Sequence, residues 1–107
     1  MQYEIKTNLG ITEVNSNSSQ YAVINQYKTQ LKSNSEASEL ITAIRELIEQ
    51  NKTKSLNGYA LSYLAELETS INLYGIAGLI TQLNYLLCNI HDKQLSMTIK
   101  YIIKALK

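Results

Sequence analysis

Cys88 and His91 stand three residues apart, one helical turn, so an imidazole could take the proton of a thiol and leave a nucleophilic thiolate. They are the only cysteine and the only histidine of the chain. A working nucleophile also needs an acid that orients its base and amides that hold an oxyanion, and neither pattern accompanies this pair. Free cysteine on an apolar helix ordinarily packs as a small hydrophobe, and a cation at the carbonyl end of a helix is favoured by the dipole. Cys88 is therefore expected to pack and His91 to close a helix. Two ligands also fall short of the four that a structural zinc takes. Glu66 and Glu68, two apart on a helix, point to different faces and cannot share acid-base work. Gly75 and Gly78 form no phosphate loop, because no Lys-Ser or Lys-Thr follows and no strand precedes them. The chain reads as a protein without catalysis, cofactor or metal.

What remains is surface chemistry. Glu39, Glu46 and Glu49 recur at helical spacing, and Glu66 and Glu68 add two more carboxylates further on. Six acids face Arg45, Lys52 and Lys54 between Glu36 and Glu68, whereas one acid faces Lys93, Lys100, Lys104 and Lys107 from Asp92 onward. An acidic patch speeds capture of a basic partner and disfavours wrong ones. All eight aromatic residues are tyrosines, a side chain enriched at interfaces for its rigid ring and polar tip. Tyr59 and Tyr63 fall close to the acids in sequence. The expected partner-binding residues are Glu39, Glu46, Glu49, Tyr59, Tyr63, Glu66 and Glu68. The lysine stripe of Lys100, Lys104 and Lys107 would suit peripheral contact with an anionic membrane. With ten basic against nine acidic residues, the net charge of +1 gives no field for nucleic acid.

The elements that carry these residues follow from apolar periodicity. From Tyr3 to Val14 apolar residues alternate, as in a strand, with Asn8, Leu9 and Gly10 as a turn, so residues 1–18 read as either a short hairpin or an extended arm. A helix is expected over 20–32, with Tyr21, Ile24 and Leu31 on one face. A second spans 36–50, capped by a box of Ser33 and Glu36, with Leu40, Ile41, Ile44, Leu47 and Ile48 inward. Ser55 is the expected cap of a third, whose face is Leu56, Ala60, Tyr63, Leu64, Leu67, Ile71 and Tyr74. Gly75 should stop it, since glycine takes a left-handed conformation freely. A fourth then runs from Ile76 to Ile90, unless the two form one kinked helix. Residues 93–105 make the last, with His91 and Asp92 at its cap and Leu95, Ile99, Ile102, Ile103 and Leu106 inward. The fold class is all-α: one domain over 1–107, with an antiparallel bundle of four to five helices over 20–107.

The stretch between Glu68 and Asp92 holds no Asp, Glu, Lys or Arg, which invites a membrane reading. Its threonines, asparagines and Gln82 interrupt it, and its apolar part after the glycines falls below the ~20 residues of a span. With Glu4 near the start and no apolar leader, a cytoplasmic location is expected.

Leu64, Ala65, Glu66 and Leu67, then Ile71, Gly75, Ile76, Leu83, Leu86 and Leu87, resemble the leucine-spaced helix, glycine-isoleucine turn and second helix of the class II bacteriocin immunity bundles. The match covers about a third of the chain, and the strand-like start departs from the family. The resemblance implies a cytoplasmic binding protein that neutralises a bacterial toxin or shields its target. The alternative from composition is a structural or regulatory helical homo-oligomer, a homodimer for instance, joined through exposed apolar residues.

Overall fold

The computed structural model describes residues 19–27 and 34–107. Five helices occupy them: α1 (Ser19–Tyr27), α2 (Asn34–Asn51), α3 (Gly58–Ala65), α4 (Leu67–Cys88) and α5 (Lys93–Leu106). The expected N-terminal hairpin or arm and the Ser33 cap lie outside the described residues. The architecture is the all-α bundle that the periodicity predicts.

α2 is amphipathic along its whole length. Leu40, Ile41, Ile44, Leu47 and Ile48 are fully buried, and Glu39, Glu46 and Glu49 stay in solvent on the opposite arc. It closes with Asn51, whose buried side-chain amide donates to the Leu47 carbonyl at 2.8 Å and so satisfies one of the orphan acceptors of the last turn. α5 repeats the pattern, burying Leu95, Ile99, Ile102, Ile103 and Leu106 against α1, α2 and α4. α1 lays Tyr21 and Ile24 on the same core. The Tyr21 ring meets Tyr101 edge to face, centroids 6.4 Å apart, yet its buried hydroxyl has no hydrogen-bond partner among the described residues. Burial, and then the neighbouring Tyr101, push the Tyr21 phenol far above its ordinary range.

Two glycines shape α4 for different reasons. Gly75 has φ 71° and ψ −156°, a conformation open to glycine alone, and it interrupts the helix. The chain folds back there: Ser70 Oγ donates to Gln82 Oε1 at 3.3 Å, whereas twelve residues of straight helix would separate them by about 18 Å. Gly78 permits the approach, because a Cβ at that position would meet the Ser70 carbonyl oxygen at 2.7 Å and the Tyr74 Cβ at 2.5 Å. By length and mean hydropathy, 1.2, the segment Leu67–Cys88 is the one stretch among the described residues able to cross a membrane. Bent at Gly75, its arms of eight and thirteen residues are about 12 and 20 Å long, short of a hydrocarbon core of about 30 Å.

Three local expectations are corrected. Asn57, not Ser55, caps α3: its Oδ1 accepts the Ala60 amide at 2.8 Å while its Nδ2 donates to the Asn89 carbonyl at 2.9 Å, a second bond that fixes the cap in place. The continuous face from Leu56 to Tyr74 is broken at Glu66, where a turn divides α3 from α4. Beyond that turn the helical phase is reset, so Tyr74 is 71% exposed instead of lying in the core.

Candidate protein-binding surface

The outward arc of α2 presents Glu39, Glu46 and Glu49, all exposed. Seven residues, nearly two full turns, separate Glu39 from Glu46, and Glu49 follows one turn on, so helical geometry puts the three along one side. Glu49 pairs with Lys52 at 2.8 Å. On the same side of α2, the half-buried Arg45 donates from Nη2 to the Leu64 carbonyl at 3.5 Å. That contact sets the α3–α4 turn, with exposed Glu66 and Glu68, beside the acidic helix. Five carboxylates from separate stretches of sequence thus sit on neighbouring elements.

The two tyrosines expected with them behave differently. Tyr59 is 72% exposed on the first turn of α3 and can reach a partner. Tyr63 is half-buried, its ring stacked on Tyr85 with centroids 5.7 Å apart and planes at 25°, while its carbonyl accepts Gln82 Nε2 at 3.3 Å. Tyr63 therefore belongs to the joint between α3 and the second arm of α4. Tyr85, 53% exposed, and Tyr74 were not expected at the surface with it. Tyr85 falls off the Leu79, Leu83, Leu86 stripe, so its exposure was readable, but its stacking partner was not.

Cys88 ends α4 and is exposed, contrary to the packing role expected of it, because Leu79, Leu83 and Leu86 take the buried stripe of that arm. The helix tightens as Asn89 and Ile90 donate to the Leu86 and Leu87 carbonyls, and it stops before His91. The pair is thus no longer one helical turn apart, and no hydrogen bond joins them among the described residues. No three His, Cys, Asp or Glu side chains converge as a metal-binding group among those residues.

Asp92 proves more important than its expected cap role. It is buried, and its Oδ1 accepts the Leu95 amide of α5 at 3.3 Å. Its Oδ2 accepts the Thr53 amide and, at 3.1 Å, the Lys54 amide, so one carboxylate clamps the α2–α3 loop onto the start of α5. Burial alone would raise its pKa; the donated bonds from Thr53, Leu95 and Lys54 outweigh that and hold the carboxyl below its usual range. Lys54 Nζ adds a bond to the His91 carbonyl at 3.4 Å. The cleft between these loops, about 120 Å³, is lined by polar groups such as Lys54, Asn57, His91 and Asp92. Asp92 is committed to backbone amides and Asn57 to its cap, so the cleft is a structural joint.

No family model matches the chain, and no curated protein or solved structure matches it. Fold and surface define a small helical bundle whose distinctive features are faces, an acidic one on α2 and an uncharged tyrosine-bearing one on α3 and α4.

Proposed function

We propose that the protein is a non-catalytic protein-binding module of the immunity or inhibitor type, located in the cytoplasm, which occludes a basic bacterial toxin or shields that toxin's target. The observation that supports this reading is the placement of Glu66 and Glu68 beside the exposed Glu39, Glu46 and Glu49 by the Arg45 contact. Clustered carboxylates around an exposed tyrosine raise the association rate with a cationic surface and give a rigid ring to bury at its centre. The bundle beneath is firmly packed, so the face is presented without ordering cost. In bacteria challenged with the toxin encoded beside its gene, expression of the chain should protect, and the Glu39→Lys, Glu46→Lys, Glu49→Lys triple variant should not. Full protection by the triple variant would remove the reading.

The four lysines of α5 line its outward side with Met97 and Tyr101, and no carboxylate of the described residues pairs with them. They fit a peripheral role at an anionic surface, such as holding the module near a membrane-bound target.

A further inference from the structure

Beyond Glu68, no exposed residue of α4 carries a charge. Leu73, 66% exposed, and Tyr74 project at the Gly75 bend, and beside them a groove of about 360 Å³ runs over Ala77, Gly78 and Thr81 to Tyr85. Projection and recess thus adjoin on one surface, free of charge and rich in tyrosine, the composition that marks the centres of protein interfaces. Charge decides the occupant. A two-fold contact sets a patch against its own copy, so any charge in it meets its like. The outward arc of α2 would oppose glutamates to glutamates, and that of α5 lysines to lysines, at a cost of several kcal/mol. α1 is uncharged too, but it is nine residues long and exposes no large apolar side chain among those described. The α4 face alone combines exposed apolar groups with the neutrality that self-pairing requires.

We infer that this face is where two copies of the chain pair about a two-fold axis, the bend of each seated on the groove of the other. The acidic arc of α2 then stays outside the contact, open to a different partner. Thr81 lies in the groove, is exposed, and bonds only to the Ala77 carbonyl of its own helix at 3.1 Å, so its replacement leaves the fold intact, as helical circular dichroism can verify. By sedimentation equilibrium the native chain should be a dimer. Thr81→Lys and Thr81→Glu should each raise the dimer dissociation constant by at least about tenfold. An equimolar mixture of the two should dimerise again, since lysine then faces glutamate, while the α2 triple variant should dimerise as the native chain does. A native chain that is monomeric at high micromolar concentration would overturn the proposal, as would unaltered pairing by Thr81→Lys. Binding of the monomer to neutral phosphatidylcholine vesicles would likewise overturn it, assigning the face to lipid.

Discussion

α2 and α4 are of similar length, 18 and 22 residues, and they use their apolar side chains in opposite ways. In α2 the apolar residues keep to one stripe and the charges to the other, so a straight helix buries the first and wets the second. In α4 apolar residues are spread around the axis, a pattern that would call for burial on all sides. A chain this small cannot supply that much interior. The bend at Gly75 resolves the conflict by giving each arm a stripe of its own, Leu67 and Ile71 on one, Leu79, Leu83 and Leu86 on the other, and it leaves Leu73, Tyr74 and Tyr85 outside. Charge pattern makes α2 a fixed scaffold with a polar surface; its absence makes α4 a bent element with an uncharged one.

The contrast is sharpest in paired core and surface truncations. Ile44→Ala on α2 should cost roughly 2–5 kcal/mol, because a fully buried side chain is replaced by a cavity. Leu73→Ala on α4 should change stability by no more than about 0.5 kcal/mol. Urea unfolding reads both, and equal losses would dissolve the distinction.

Next in size is the joint that holds α5 to the scaffold. Asp92→Ala removes a cap and strands the Thr53 and Lys54 amides, for an expected loss of about 2–3 kcal/mol. The sign of its pH dependence follows from the depressed carboxyl. A group whose pKa is lower folded than unfolded stabilises the fold above the unfolded value, about 3.9 for Asp, and that contribution vanishes as pH falls through the folded value. The native chain should therefore lose more stability than Asp92→Asn as pH is lowered below about 4 in parallel urea titrations. Identical slopes would show that the carboxylate charge contributes nothing there.

The bend gives the smallest of these stability effects. Gly75→Ala forces an L residue into a positive φ and should cost on the order of 1–3 kcal/mol while leaving α2 intact. A neutral result in thermal unfolding would mean that α4 does not depend on glycine to fold back.

α2 and α5 were legible in the sequence because their information is local: a stripe of isoleucines and leucines every three or four residues, a terminal polar residue, an Asp before the first turn. The stop at Gly75 was legible for the same reason. The turn at Glu66 was not, since nothing in Leu64, Ala65, Glu66 and Leu67 breaks a helix by propensity, and missing it carried the wrong phase forward to Tyr74. The double duty of Asp92 was invisible as well, because Thr53 lies 39 residues away and only the packed bundle brings it near. Of the candidate site, the helical alignment of Glu39, Glu46 and Glu49 followed from spacing, but their proximity to Glu66 and Glu68 depends on Arg45 reaching the end of α3. The division of labour between Tyr59, exposed, and Tyr63, stacked on Tyr85, likewise required the fold-back of α4.

The most direct test of the claim that the two faces serve different partners is a calorimetric titration of the cognate toxin into three proteins: the native chain, the Glu39→Lys, Glu46→Lys, Glu49→Lys triple variant, and Thr81→Lys. The account predicts an affinity at least about tenfold weaker for the triple variant and unchanged for Thr81→Lys. Native affinity in the triple variant, or its loss in Thr81→Lys alone, would contradict it.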